Sequence, residues 1–247
     1  MTVVFRGMRP AAPGPGPLAQ DNNANALGVR VNSPPAPSDV ETYMQNEVPW
    51  VNPLTGDGSP QGVSVATGSG CNLPTHRRPK GAPWNGTGAN GLLMWELDDT
   101  VLVPAQLRVV AAPLPEQPEH AVISPAVAMS LHQYRQYIAS TQLHWEQSAE
   151  PVPHCAPGAV LEGGRAVHAH VDALVAAVAG GDDPGELIEA LRAQNAAGTS
   201  APQIVAHLEA AAVQADSQGN DDGAEALRGV LDRISGYCAP AHRIVLT

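Results

Sequence analysis

Eighteen of the 24 prolines fall in residues 1–125, three more stand at Pro151, Pro153 and Pro157, and only Pro184, Pro202 and Pro240 follow. Proline lacks a backbone N–H and has a fixed φ, so helix interiors and central strands exclude it. The first half of the chain is thereby confined to loops, extended segments and short strands. Helices are open to the region from about residue 158. The expected class is α+β: an extended Pro/Gly-rich N-terminal arm, a small mostly antiparallel sheet and a C-terminal antiparallel helical bundle.

Residues 1–60 hold PGPGP and SPPAP runs separated by polar stretches, and only residues 26–31 alternate as a strand does. Ordering a backbone costs about 1–2 kcal/mol per residue. A segment this poor in large apolar side chains does not recover that cost alone, so an arm held by other chains is expected. Its contacts would be Phe5, Val29, Val31 and the 48–54 stretch, with Trp50 as the largest anchor.

Strands are predicted in residues 61–123, at 62–67, 92–97, 100–103, 107–111 and 120–123, with Asp98 and Asp99 as a tight hairpin between the second and third. From Ser124 the period changes to that of a helix. Ser124 and Pro125 read as cap and first turn, and Val127, Leu131, Tyr134, Ile138 and Trp145 as one face of an amphipathic helix over 124–150. The prolines of 151–157 then form a stiff linker.

Four helices are predicted over 158–247. The first carries Val167, Val171, Leu174 and Val178 and stops at Gly180 and Gly181. The second opens at Asp183, Pro184 and Glu186, presents Leu187, Ile188 and Leu191, and precedes Gly198. Ser200, Pro202 and Gln203 open the third, with Ile204, Leu208 and Ala211 inward. Asp222 and Glu225 open the fourth, whose Leu227, Val230, Leu231 and Ile234 face inward before Gly236. Short connections favour antiparallel packing, and residues 243–247 suffice for one more strand.

Thirteen basic residues face 24 acidic ones, a net charge of −11. Coating of nucleic acid depends on Lys and Arg releasing counterions, so direct nucleic-acid binding is not expected. The local exception is HRRPK at 76–80. With complementary charge guiding association, Arg77, Arg78 and Lys80 join Phe5 and Trp50 as the expected interface with other subunits.

Gly86, Gly88 and Gly91 have dinucleotide-motif spacing, but that motif needs a strand before it and a helix after it. Pro83 and Trp84 precede these glycines and a strand-like run follows, so a glycine-rich loop is expected. Cys71 with His76, Cys238 with His242, and His154 beside Cys155 are zinc-ligand types without the usual tight spacing. His168 and His170 diverge on a helix. No nucleophile elbow or His-Glu-x-x-His occurs, and no cofactor or metal is expected. Three scattered cysteines predict free thiols in a reducing compartment. Without a leader-like apolar region or an apolar run of membrane length, the expected location is a virion or the cytoplasm rather than a secreted or membrane one.

These features together lead to the expectation of a non-catalytic, architectural component of a large assembly, such as a virus or phage particle, whose partners are copies of itself or other subunits. The alternative is a metal-dependent or thiol enzyme in which Cys71, His76, Cys155, Cys238 or His242 converge.

Overall fold

The computed structural model describes residues 1–31, 38–114, 117–149, 155, 169–239 and 243–246. Nine strands are described: β1 (Val3–Met8), β2 (Tyr43–Gln45), β3 (Val48–Val51), β4 (Val63–Thr67), β5 (Leu93–Asp98), β6 (Leu107–Ala111), β7 (His120–Pro125), β8 (Met129–Ser130) and β9 (Glu146–Gln147). The main sheet runs β6-β7-β4-β1-β5-β9 and a smaller one runs β2-β3-β8. All pairs are antiparallel. The helices are α1 (Leu131–Ser140), then α2 (Ala169–Ala179), α3 (Gly185–Ala196), α4 (Ala201–Ser217) and α5 (Asp221–Ser235). The chain is α+β, with its helices concentrated in the C-terminal part. No helix among the described residues is long and apolar enough to cross a membrane.

Several segments of the first 60 residues pack within the chain's own core. β1 is an interior strand, paired with β4 through Val4 and Phe5 and with β5 along its whole length. Val4, Met8, Leu27, Val29, Val40 and Val51 share one core with Val65, Leu97, Ile123 and Trp145. Arg6 points to the same side of β1 as Val4 and Met8, and a charged residue at that position hides the strand's alternation. Residues 26–30 are buried and Val31 half-buried, but the segment is not a strand. Side chains join isolated backbone bonds there: Leu27 N donates to Leu18 O (2.7 Å), Asp21 Oδ1 accepts from Val29 N (2.9 Å) and Asn22 Oδ1 from Val31 N (2.8 Å).

The helix expected over 124–150 is only α1. Ser124 and Pro125 end β7, with Arg108 opposite Ser124 and Leu107 opposite Pro125. The cap is Ser130, whose hydroxyl accepts from Gln133 N (3.2 Å). Val127 is more than half exposed, outside the apolar stripe. Leu131, Tyr134 and Ile138 pack on the sheet, and the Tyr134 hydroxyl donates to Ile123 O (2.6 Å). After Asp98 the chain makes a 3₁₀ turn over Asp99–Leu102 rather than a hairpin, because the Asp98 carboxylate accepts from Thr100 N and caps the turn.

Where Val171, Val178, Leu187, Leu191, Ile204, Leu208, Leu227, Val230 and Leu231 meet, α2–α5 have a core of their own. Gln203 accepts from the Ser200 backbone N–H (3.0 Å), and Gly236 after α5 takes φ 74°, which suits glycine. The α5 cap is Asn220, accepting from Gly223 N, in place of the Asp222 start expected. At α3, Asp183 accepts from Gly185 N, and the expected capping-box bond is not among those described. Residues 243–246 form no strand. Ile244 is buried in the helical core, its N–H donating to Arg233 O (2.8 Å).

Cys71 and Cys155 form a disulfide, contrary to the expectation of three free thiols. The fold brings their Cα atoms to 5.2 Å, a separation that sequence spacing of 84 residues does not disclose. Apart from Cys155, the expected linker at 151–157 lies outside the described residues, as do His154, His168 and His242; of His170 only the backbone is described.

Candidate functional site

Loop 75–80 lies against the main sheet, and three glycines make that approach possible. A Cβ on Gly7 would come within 2.1 Å of Arg77 O, and one on Gly86 or Gly88 within 2.3 or 2.4 Å of Arg78 O. The glycine-rich segment at 86–91 therefore supports the loop by close backbone contact. That contact turns His76 and Arg77 inward, where both are about 2% exposed.

Arg30 enters the same space from the 26–31 segment. Its Nε and Nη2 both bond to Asp39 Oδ1 (3.0 and 2.7 Å), while Asp39 Oδ2 accepts from the Arg30 backbone N–H (2.8 Å). Arg6 reaches it from β1 and donates to Ser64 O (2.5 Å) and Ala24 O (3.4 Å). Arg6 makes no ion pair among the described residues, and its Nε has no hydrogen-bond partner there. Burial pulls the Arg6 guanidinium below its ordinary value; Tyr237 and Asp39 act against that, and Arg30 and Arg77 reinforce it.

Asp232, from α5, sits at the centre. Its Oδ1 accepts from Arg77 Nε (2.8 Å) and His76 Nε2 (3.0 Å), and its Oδ2 from Arg77 Nη2 (2.6 Å) and Arg30 Nη1 (2.6 Å). Because a carboxylate only accepts, His76 carries its proton on Nε2. Burial alone would raise the Asp232 carboxyl, but Arg77 and Arg30, with the bonds from His76 and Arg77, hold it far below the carboxylate range. For Arg30 and Arg77 burial works against the charge, and the carboxylates of Asp39, Asp232 and Glu225 outweigh it. His76 is shifted downward by burial despite Asp232, so it is neutral at pH 7.

Around this centre the contacts continue. Arg77 Nη1 bonds to Glu225 (3.2 Å) and to Asn25 (3.3 Å), and Asn25 Nδ2 donates to Glu225 (2.7 Å). Thr75 donates to Glu209, Lys80 to Asp216 (2.6 Å), and Arg9 to Asp221 (3.3 Å). Tyr237 inserts among Ala66, Leu73, Trp84 and Met94, and its hydroxyl donates to Ser64 O (2.9 Å), the acceptor used by Arg6. A cavity of about 480 Å³ opens beside Arg30, between Arg9, Asn22 and Asn25 on one wall and Asp221, Glu225 and Arg233 on the other.

The expected interface residues are thus placed differently from one another. Arg77 and Arg78 are buried inside the chain, Arg78 beside Glu209, rather than offered to another copy. Lys80 is exposed, with its ammonium bonded to Asp216 of its own α4. Phe5 is half-buried on the cluster that holds Tyr237, and Trp50 is half-buried in β3 opposite Tyr43 and Ser130. The Cys/His cluster does not assemble: Cys71 and Cys155 are bonded to each other, and His76 is bound to Asp232. The Cys238 thiol is buried and pushed up to about 12. Among the described residues no group of three His, Cys, Asp or Glu could hold a metal ion.

Arg6, Arg30, Asp39, Asp232 and Tyr237 were not singled out from sequence. The available signals were weak ones, an arginine inside the apolar 26–31 run and an aspartate on the inward side of α5 next to Leu231. Counted without α5, the cluster contains three guanidiniums and one carboxylate. Such a surplus of buried planar donors suits a phosphate-bearing ligand.

The family model of the Tse2 ADP-ribosyltransferase toxin matches residues 18–147, just over half of the 247 residues, and the chain belongs to that family. No curated protein and no solved structure shows a significant match. The match overturns the expectation of a non-catalytic virion component, because the family is one of transferases. Within the region read as an arm, β1 is an interior strand of the chain's own sheet.

Proposed function

We propose that this protein transfers ADP-ribose from NAD⁺ to an acceptor nucleophile, with the donor's diphosphate held by Arg30 and Arg77. The observation that carries this reading is the family match over 18–147, a span that contains Arg30, Asp39, His76 and Arg77. Without α5, the cluster has an excess of two positive charges, matching the two negative charges of a diphosphate bridge. Arg77 offers Nε and Nη2 side by side, the fork that phosphate oxygens accept. Asp39 is a positioning residue that aims Arg30, and His76 adds a neutral donor through Nε2.

In the reaction the bond between ribose C1′ and the nicotinamide nitrogen breaks. The bonding pair leaves with nicotinamide and quenches its pyridinium charge, C1′ acquires oxocarbenium character, and the acceptor bonds to C1′ as it loses a proton. The arginines hold the donor while the leaving group departs, and burial strengthens that hold.

Nicotinamide release from NAD⁺ tests the reading, measured on the native chain and on D221K/E225K, which removes Asp221 from Arg9 and Glu225 from Arg77 and puts repulsive charge along that edge of α5. Release is expected from the double variant and should fall at least about tenfold when Arg77→Ala is added, with folding monitored by circular dichroism. No release from any folded form, or release unchanged by Arg77→Ala, overturns it.

A further inference from the structure

We infer that the helical unit, residues 169–239, is a built-in inhibitory cap that fills the donor site of its own transferase unit with the Asp232 carboxylate. The inference rests on the proposed donor site. The two oxygens of Asp232 occupy the Nε/Nη2 fork of Arg77, Nη1 of Arg30 and the Nε2–H of His76, the groups assigned to the diphosphate. Diphosphate and Asp232 cannot hold these donors together.

Three further observations support a cap. The first is that α2–α5 lie outside the matched span and carry a separate hydrophobic core, so they fold around their own apolar residues rather than completing the sheet's core. The contact between the units carries a row of ion pairs beside the apolar seat of Tyr237, a more polar mix than either core.

The second is charge complementarity. Glu209 and Asp216 on α4, and Asp221, Glu225 and Asp232 on α5, meet Thr75, Lys80, Arg9, Arg77 and Arg30 of the sheet unit one after another. The α5 acids recur at i, i+4 and i+11, which places them along one edge of the helix. A row of carboxylates opposite a phosphate-binding face imitates the ligand's charge.

The third is the seat of Tyr237. It takes the Ser64 carbonyl, which also accepts from Arg6, and the pocket walled by Leu73, Trp84 and Met94. The Cys71–Cys155 disulfide fixes the chain ahead of the helices to the turn preceding loop 75–80. Such a tether keeps the cap at high effective concentration.

The test uses the full-length chain and two probes, ADP-ribose binding by calorimetry and nicotinamide release from NAD⁺. Variants D221K/E225K and D232N are compared with the native chain, and hydrogen exchange over 75–80 reports release of the loop. The cap predicts at least about tenfold tighter ADP-ribose binding by the variants than by the native chain, with faster exchange over 75–80. Binding by the variants no tighter than the native chain's overturns the cap, whatever the turnover. Tighter binding without nicotinamide release upholds the cap and removes the transferase reading. If D232N does not fold, D221K/E225K decides, because it alters only partly exposed acids.

Discussion

Residues 169–239 draw their core from neighbours along the chain, with Val171, Leu187, Ile204 and Leu227 each on a successive helix. In the sheet unit, Val4, Leu27, Val51, Val65, Ile123 and Trp145 meet from the two ends of the first 150 residues. The helical unit uses backbone bonds within helices and short caps, whereas the sheet unit completes its hydrogen bonding with side chains, as at Asp21, Asn22 and Asp39. Buried charge also differs. The sheet unit supplies the surplus cations and the helical unit supplies the anion at their centre. A contact whose charges are balanced only when both units are present couples two otherwise separate cores.

Breaking that coupling should have the largest effect. Asp232→Ala leaves Arg30 and Arg77 facing each other with only Asp39 and Glu225 for compensation, and removal of one partner from a buried pair costs about 3–5 kcal/mol. Urea denaturation should then resolve two transitions where the native chain shows one. A single transition at the native midpoint would mean that the seam does not couple the units. Leu231→Ala, within the helical core and about 1% exposed, should cost about 2–5 kcal/mol. Its effect should fall on the helical transition, read by far-ultraviolet circular dichroism.

Acid should act on the sheet unit through His120. Its Nδ1 donates to Ala112 O (2.8 Å), its Nε2 is buried with no partner among the described residues, and its ring meets Tyr237 edge-on. Burial lowers its pKa to about 4 from an ordinary 6.5. Between those values the unfolded chain binds a proton that the folded chain does not, so stability falls as pH drops through this window, by about 3 kcal/mol for this group. His76 acts in the same direction. Urea midpoints from pH 7 to 4 should show the slope, and His120→Gln should flatten it.

Smaller changes sharpen the contrast. Ser200→Ala should cost about 1 kcal/mol through loss of the α4 cap, visible as a small shift in the helical transition. Val127→Ala, at a position 55% exposed and outside any helix, should change stability by less than about 0.5 kcal/mol. A core-sized loss there would restore the longer helix that its spacing suggests.

By itself the sequence determined that this chain is α+β, that strands lie within 62–67, 107–111 and 120–123, and that helices end near Gly180, Gly198 and Gly236. These features rest on φ restriction, caps and period, all of which act within a few residues. Tertiary structure alone decided that β1 is interior, that Cys71 meets Cys155, and that Arg30, His76, Arg77 and Asp232 converge. A buried arginine and an exposed one have the same local grammar, and what separates them is a carboxylate supplied some 150 to 200 positions away. The enzyme class was hidden for the same reason, since the groups proposed to hold its donor are isolated residues on separate segments and acquire chemical meaning only where the fold brings them into contact.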